Sequence, residues 1–240
     1  MGTLNGTTAI ITGAGSGIGK GIAVALAQEG AQLILTGRTR ETLEATAAAL
    51  PSAAVHIIPA DVTVEADVIE LFTQTMQLSD HLDLVINNAG VFDGGPLDEL
   101  SLAAWEHVLA VNLTGPFLCT REAMKIMKRQ KGGRIINIGS ISAHMPRMNS
   151  APYATSKHGL VGLTKAAALE GRDYGISVSC LHPGNVITER HVDLPPTDVE
   201  PHMTPAELAV AVVTMASLPP HINMLEAIIL PVTQAYLGRG

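Results

Sequence analysis

The feature that most constrains this chain is a regular alternation of short apolar runs with longer stretches of helical character. The runs are rich in β-branched residues and apolar on both faces, as the strands of a parallel sheet covered on both sides require. They are Thr8–Thr12, Leu33–Thr36, Val55–Ile58, Leu82–Asn87, Arg134–Ile138, Ile176–Leu181 and Ala227–Leu230. Helical stretches lie between them, near residues 17–29, 40–50, 64–78, 101–130, 152–172 and 204–217. Strands that alternate with helices predict an α/β fold with a doubly wound parallel sheet of about seven strands, in a single domain spanning 1–240.

Composition excludes several classes of protein. The chain is 47% hydrophobic and 15% charged, which excludes intrinsic disorder. Its 22 acidic and 15 basic residues give a formal charge of −7. A protein that binds the phosphate backbone of nucleic acid usually needs a basic surface, which this balance does not favour. Cys119 and Cys180 each lie in an apolar run without CxxC spacing, so we expect buried free thiols in a reducing compartment. We therefore predict no nucleic-acid partner.

No apolar run reaches 18 residues, so no membrane span is expected. The first residues, 1–8, lack both the basic and the apolar segment of an export signal. These two observations favour a cytoplasmic protein without a membrane partner.

The segment at about 188–205 breaks the alternation because it carries four prolines, Pro195, Pro196, Pro201 and Pro205. A proline-rich stretch of this length inside a compact domain is usually functional, and we predict a short substrate lid. A solvated surface loop is the alternative.

A glycine-rich turn follows the first strand and opens the first helix. Small residues let the backbone approach a pyrophosphate closely, and the helix N-terminus favours its negative charge. A merely structural tight turn is the alternative, since such a motif alone is weak evidence. The candidate cofactor-binding residues of this turn are Gly13, Gly15, Ser16, Gly17, Ile18 and Gly19.

The end of the second strand bears on the choice of cofactor. An acidic residue there would bind the ribose 2′-hydroxyl of NAD, but the sequence reads Thr36-Gly37-Arg38. Gly37 leaves room for a 2′-phosphate, and Arg38 could pair with it through charge-assisted hydrogen bonds. The residues thus favour NADP, with NAD possible and a solvated surface arginine as the alternative interpretation of Arg38.

Tyr153 and Lys157 are four residues apart, which puts them on one face of a helix. Proton transfer to or from an alcohol near neutral pH requires a phenol more acidic than usual, and an adjacent ammonium favours the phenolate. Ser140 follows the fifth predicted strand, where its hydroxyl could hydrogen-bond a substrate oxygen. Asn112 lies within a long apolar helix, where a satisfied core amide and a proton-relay group are equally good interpretations.

These residues, in this order, resemble the short-chain dehydrogenase/reductase family over nearly the whole chain. The motifs that carry the resemblance are TGAGSGIG, Asn87-Asn88-Ala89-Gly90, Val111-Asn112, Ser140, Tyr153-Ala154-Thr155-Ser156-Lys157 and Pro183-Gly184. The resemblance implies a Rossmann fold and hydride transfer between a nicotinamide and a carbonyl carbon. It implies four catalytic residues: Tyr153 as the acid/base, Lys157 making it more acidic and binding the nicotinamide ribose, Ser140 orienting the carbonyl, and Asn112 holding a water.

The resemblance also implies further cofactor contacts. Asp61 and Val62 would flank the adenine, and Asn88, Ala89 and Gly90 would line the adenosine side. The nicotinamide amide would meet the segment that contains Pro183, Gly184, Val186 and Thr188. The family's members act without a metal, and the nine histidines show neither HxxxH nor HExxH spacing, so no metal site is predicted.

The resemblance favours an NADP-dependent oxidoreductase acting on the carbonyl or secondary alcohol of a small substrate. The C-terminal segment is similar to the NADP-dependent serine/3-hydroxy-acid dehydrogenase branch. An NAD-dependent alcohol dehydrogenase and a 3-oxoacyl carrier-protein reductase are the alternatives, followed by a non-catalytic NADP-sensing protein. We expect a homodimer or homotetramer, assembled through the helices near 101–130 and 152–172.

Overall fold

The computed structural model describes residues 2–50, 54–189 and 200–236, which contain seven strands and seven α-helices. One α-helix lies between each two consecutive strands, except that α4 and α5 both lie between β4 and β5. The strands are β1 (Thr8–Thr12), β2 (Gln32–Thr36), β3 (Val55–Ile57), β4 (Leu84–Asn87), β5 (Gly133–Ile138), β6 (Ile176–Pro183) and β7 (Glu226–Ile229). The helices are α1 (Gly17–Gln28), α2 (Arg40–Ala48), α3 (Glu65–Leu78), α4 (Leu102–Leu109), α5 (Gly115–Gln130), α6 (Ala151–Gly171) and α7 (Pro205–Ala216).

The strands form one sheet in the order β3-β2-β1-β4-β5-β6-β7, and every neighbouring pair is parallel. The predicted doubly wound, seven-stranded sheet is therefore confirmed. The strand order reverses between β1 and β4, which opens a crevice at their carboxyl ends. In sheets of this type ligands bind in that crevice.

Neighbouring residues of one strand enter opposite cores because side chains alternate across a sheet. Ile11 packs in a core that also contains Leu26 of α1 and Val212 of α7. Ile10 packs in a second core, with Leu71 of α3 and Met127 of α5. Helices thus cover both faces of the sheet, as the doubly apolar strands require.

The two edge strands differ from the expectation that every strand is buried on both faces. All three residues of β3 are only partly buried, and so are three of the four in β7, where Ile228 is exposed. Each edge strand has a neighbour on one side only, so it is covered less.

The helix predicted near 101–130 is continuous but not uniformly α-helical. A π-helical turn, Ala110–Thr114, joins α4 to α5 and contains Asn112. Such turns add one residue to a helical turn and are frequent at functional sites.

Cys119 and Cys180 are free and buried, as predicted. None of the helices in the described ranges has the length and apolar character needed to cross a bilayer. Most of the predicted lid, residues 190–199, lies outside the described residues. Val186 and Met203, on either side of that stretch, pair as a parallel bridge.

Candidate active site

The glycine-rich turn connects β1 to α1 in the crevice. Gly13 has a φ of 65°, a conformation that glycine adopts without the steric cost of a Cβ. A Cβ on Gly19 would collide with the carbonyl oxygen of Gly13, so the turn packs too tightly for any other residue there. Ser16 caps α1 with its backbone, and Gly17 and Ile18 begin the helix. The turn is therefore shaped to bring backbone N–H groups close to an anionic ligand.

Two neighbouring segments touch this turn. A Cβ on Gly15 would collide with the Thr42 side chain of α2. The Thr188 side chain lies against Gly17, and the Glu189 carboxylate accepts a hydrogen bond from the Gly17 backbone N–H at 3.0 Å. The structure thus brings Thr188 to the turn from far along the chain. The sequence did not predict the Glu189 contact.

Asn88 and Ala89 hold the turn from the end of β4. Their backbone N–H groups both donate to the Thr12 hydroxyl at 2.9 Å. The Asn88 side-chain amide donates to the carbonyl oxygens of Thr12, at 2.9 Å, and Gly13, at 3.2 Å. The amide nitrogen of Asn88 is thus used to fix the backbone of the turn, and a direct contact with a cofactor stays a prediction.

Arg38 and Asp61 lie near each other beyond the ends of β2 and β3, where the Ala60 N–H donates to the Gly37 carbonyl at 3.1 Å. Arg38 is exposed and makes no ion pair with any described residue. Burial raises the pKa of the Asp61 carboxyl, but two hydrogen bonds from Thr63 and the charges of Arg38 and His107 outweigh it, and the pKa falls below its ordinary value. Asp61 is therefore a carboxylate at neutral pH.

Val62, predicted to flank an adenine, is 7% exposed and packs in the second core against Gly115. Gly90, also predicted as a cofactor contact, lies beside the Asn112 side chain. Cofactor contacts of both residues stay predictions.

Tyr153 and Lys157 share one face of α6, as predicted. The Lys157 ammonium is buried, donates to the Ile138 carbonyl at 2.8 Å and lies 5.6 Å from the centre of the Tyr153 ring. The Tyr153 ring packs against Phe92, with 5.1 Å between ring centres. No described residue hydrogen-bonds to the Tyr153 hydroxyl, which is consequently available to a ligand. Phe92 was not predicted; its position just beyond the β4 motif was the only signal.

Ser140 follows β5 by two residues, so it lies beside the Ile138 carbonyl that Lys157 binds. Its Oγ accepts a hydrogen bond from the Ser142 N–H at 3.0 Å, which leaves the hydroxyl proton for another partner. The backbone of Ser140 contacts the fully buried His182 of β6. Burial lowers the pKa of His182 below its ordinary value, although a hydrogen bond with Ser140 opposes the shift.

Asn112 is fully buried in the π-helical turn and has partners for its whole side chain. Its Oδ1 accepts from the Val91 N–H and its Nδ2 donates to the Val91 carbonyl, both at 2.8 Å. Nδ2 also lies 3.3 Å from the hydroxyl of Ser156, which in turn donates to the Tyr153 carbonyl at 2.7 Å. Asn112 is therefore a satisfied core amide that links β4 to α6, and a proton-relay role stays a prediction.

Pro183 ends β6, and Gly184 follows it. A Cβ on Gly184 would collide with the Gln234 side chain, which accepts a hydrogen bond from the Asn185 N–H at 2.9 Å. This arrangement fixes the backbone from which Val186 and Thr188 continue towards the glycine turn.

The predicted residues lie along the carboxyl edge of the sheet, from Arg38 and Asp61 beyond β2 and β3 to the residues that follow β6. Lys157 donates to the carbonyl of Ile138, two residues before Ser140, and Ser156 joins Asn112 to the Tyr153 carbonyl. The arrangement offers a free phenol, a buried ammonium and a hydroxyl, which are the groups that proton transfer at a carbonyl oxygen requires.

Comparisons with known proteins agree with this geometry. The family model described as short chain dehydrogenase matches residues 7–198. An uncharacterized oxidoreductase of Staphylococcus aureus (strain MRSA252) is 33% identical over 232 residues, which are 97% of this chain and all of the relative.

Solved structures of other proteins are also similar to this chain. A short-chain type dehydrogenase/reductase from Mycobacterium marinum has a TM-score of 0.88 and 30% identity, covering 94% of both chains. An alcohol dehydrogenase from the archaeon Thermococcus sibiricus, complexed with 5-hydroxy-NADP, has a TM-score of 0.87 and 28% identity over 95% of this chain and 97% of that one. This chain therefore belongs to the short-chain dehydrogenase family and is an NAD(P)-dependent oxidoreductase that acts on CH–OH groups.

Proposed function

We propose that the enzyme catalyses hydride transfer between NADP(H) and the carbonyl or secondary alcohol of a small substrate, with Tyr153 as the acid/base. The observation that carries the proposal is the Tyr153 hydroxyl, which no described residue engages, on a ring whose centre lies 5.6 Å from the buried Lys157 ammonium. A bound nicotinamide would supply or accept the hydride. In the reducing direction Tyr153 donates its proton to the substrate oxygen, and in the oxidising direction it accepts one.

The neighbouring groups stabilise this proton transfer. The Lys157 charge would attract the negative charge that develops on the reacting oxygen during the transfer. The Ser140 hydroxyl donates to the substrate oxygen and orients the carbonyl. Asn112 positions the loop after β4, including Phe92, against α6.

The chain's own residues fit a dinucleotide. The close packing of Gly13 and Gly19 admits no side chain at either position, so a pyrophosphate could approach the backbone of the turn at the α1 N-terminus. Thr188, which lies against Gly17, would donate to a pyrophosphate there. Lys157 would bind the nicotinamide ribose, and the backbone at Pro183 and Gly184 would meet the nicotinamide amide.

Arg38 supports NADP as the preferred cofactor, because it is exposed and has no ion-pair partner among the described residues. The nearby Asp61 carboxylate would hold the guanidinium in place by attraction at longer range. An arginine–phosphate pair is charge-assisted and bidentate, and such hydrogen bonds contribute about 1.5–3 kcal/mol.

Titrating the protein with NADPH and NADH tests this preference. The Arg38→Ala variant should bind NADPH about 10- to 100-fold more weakly while NADH binding stays unchanged. Arg40→Ala is the matched control, since Arg40 is an exposed arginine two residues away that pairs with Glu44 at 3.7 Å. Tighter binding of NADH by the wild type would instead indicate an NAD-dependent alcohol dehydrogenase.

NADPH consumption with a panel of small ketones, aldehydes and 3-oxo acids tests the reaction itself. We expect turnover with at least one small carbonyl compound. Tight NADPH binding without turnover on any member would overturn the proposed activity and favour a cofactor-sensing protein.

A further inference from the structure

Three side chains from separate segments form a cluster next to the Ser140 backbone, which His182 contacts. They are His144 from the loop after β5, His182 from β6 and Glu226 from β7. One ligand atom from each lies within 4.8 Å of the other two. The Glu226 Oε1 atom is 3.1 Å from His144 Nε2 and 3.2 Å from His182 Nε2. The proposed function assigns no task to this cluster.

The tautomer of His182 follows from its other ring nitrogen. Nδ1 lies 2.9 Å from the Ser140 carbonyl oxygen, which can only accept, so Nδ1 carries the proton. The Ser140 backbone N–H is farther from Nδ1, at 3.3 Å, so we assign the proton from the shorter contact with the carbonyl oxygen. In a neutral ring Nε2 then presents a lone pair towards the cluster. Metal-ligating histidines are held in this way, with the other nitrogen donating to a backbone carbonyl or carboxylate.

Neither His182 Nε2 nor Glu226 Oε1 has a hydrogen-bonding partner among the described residues, although both atoms are buried and His182 is fully enclosed. Buried polar atoms without partners are rare and call for an explanation. Two acceptor atoms 3.2 Å apart repel each other unless a cation lies between them.

The two nitrogen–oxygen distances, 3.1 and 3.2 Å, are close to the distance between two ligands of one ion. Zinc binds nitrogen and carboxylate oxygen at about 2.0–2.2 Å, so two ligands at a tetrahedral angle lie about 3.4 Å apart. The absence of a hydrogen bond between Nε2 and Oε1 also fits, because ligands of one ion point at the ion and not at each other. Lys165 lies 3.4 Å from Oε2, the other carboxylate oxygen, and leaves Oε1 to the histidines.

We propose that His144, His182 and Glu226 form a binding site for a Zn²⁺-like divalent transition metal, which ties the segment between Ser140 and Tyr153 to β6 and β7. Two imidazoles and one carboxylate suit zinc and its neighbours, whereas Mg²⁺ and Ca²⁺ prefer oxygen ligands alone. A water would complete the coordination, since the His144 and Glu226 side chains are 35% and 26% exposed. The sequence predicted no metal because the three ligands come from three segments with no shared spacing.

Binding of Zn²⁺ and Co²⁺ to the untagged, metal-stripped full chain tests this site. We expect one metal per chain, a higher melting temperature with Zn²⁺, visible absorption typical of four-coordinate Co²⁺, and no response to Mg²⁺. His144→Asn and Glu226→Gln should each weaken Zn²⁺ binding at least about tenfold.

His158→Asn is the matched control, because His158 is an exposed histidine on α6 outside the cluster. It should bind Zn²⁺ like the wild type. Absence of stoichiometric binding, binding that survives both His144→Asn and Glu226→Gln, or loss of binding in His158→Asn would each overturn the proposal. None of these readouts depends on enzyme activity, so the site and the proposed function can fail independently.

Discussion

Tyr153 differs from the polar side chains around it because no described residue engages its hydroxyl. The side-chain amides of Asn88 and Asn112 hydrogen-bond to backbone carbonyl groups, and the Lys157 ammonium donates to the Ile138 carbonyl. Polar groups that are fully hydrogen-bonded form a rigid frame. The frame therefore holds one free phenol in a fixed position, where a ligand can use it.

Both cysteines should be inert in the folded protein. Burial raises the pKa of the Cys119 thiol to about 12, and the Glu122 charge adds to the shift. The thiolate is the reactive form, so alkylation of folded protein by iodoacetamide should not accelerate between pH 7 and about 9, as it does for a free thiol.

Mass spectrometry of the adducts checks this expectation. Folded protein should carry no adduct, and protein unfolded in denaturant should carry two. Rapid addition of one adduct to the folded chain would contradict the described burial of Cys119 and Cys180, each 1% exposed.

The sequence indicated candidate residues for the chemistry but not how each is held. Tyr153, Lys157 and Ser140 were predictable because a one-turn helical spacing and a strand end fix their positions. The pairing of Asn112 with Val91 was not, because it depends on a π-helical turn that no sequence period indicates. The contact of Phe92 with Tyr153 likewise joins two distant segments.

At the level of elements, α7 packs against α1, the helix that follows the glycine turn. A Cβ on Gly21 would meet the Pro205 ring, so the two helices are in close contact. Helix α7 begins with a capping box, in which the Thr204 hydroxyl accepts from the Glu207 N–H at 3.2 Å and the Thr204 N–H donates to the Glu207 carboxylate at 2.7 Å. The start of α7 is thereby fixed next to the helix that follows the glycine-rich turn.

Removing this cap should destabilise the protein. Thr204→Ala should lower the free energy of unfolding by about 1 kcal/mol, because it leaves a helix N–H without its partner. Urea denaturation measures the change. Thr214→Ala, in the exposed middle of the same helix, should be neutral or slightly stabilising, since alanine is the better helix former. Equal losses in both variants would contradict the assigned role of the cap.

The strands were predictable almost to the residue, and their small errors have physical causes. Strand β4 begins at Leu84, not Leu82, because the Leu82 N–H donates to the Gln130 side chain and not to the sheet. Strand β7 begins one residue earlier than predicted, at Glu226, since pairing with β6 recruits a charged residue that hydropathy would exclude.

At the level of the whole molecule, α4, α5 and α6 each leave an apolar side chain exposed to solvent. Leu102 is 68% exposed, Phe117 44% and Leu169 62%. Exposed apolar surface of this kind favours association with another subunit. On α6, Ala167 packs inside the second core, whereas Ala166 is exposed.

Light scattering should therefore give a mass two or four times that of the 25.1 kDa chain. Phe117→Ser should shift the equilibrium towards the monomer, since it removes an exposed apolar side chain from the expected contact. A wild-type mass of one chain at micromolar concentration would rule out the expected homodimer or homotetramer.

The most direct test of the whole account is the effect of removing one oxygen atom, the phenolic oxygen of Tyr153. Tyr153→Phe should lower turnover about 10²- to 10⁴-fold, the range for loss of a general acid, and leave NADPH binding nearly intact. Tyr174→Phe is the control, because Tyr174 is an exposed tyrosine whose ring contacts Lys128 and none of the proposed catalytic residues among the described contacts. Unchanged turnover in Tyr153→Phe, with tight NADPH binding in both variants, would contradict the central claim that this phenol transfers the proton.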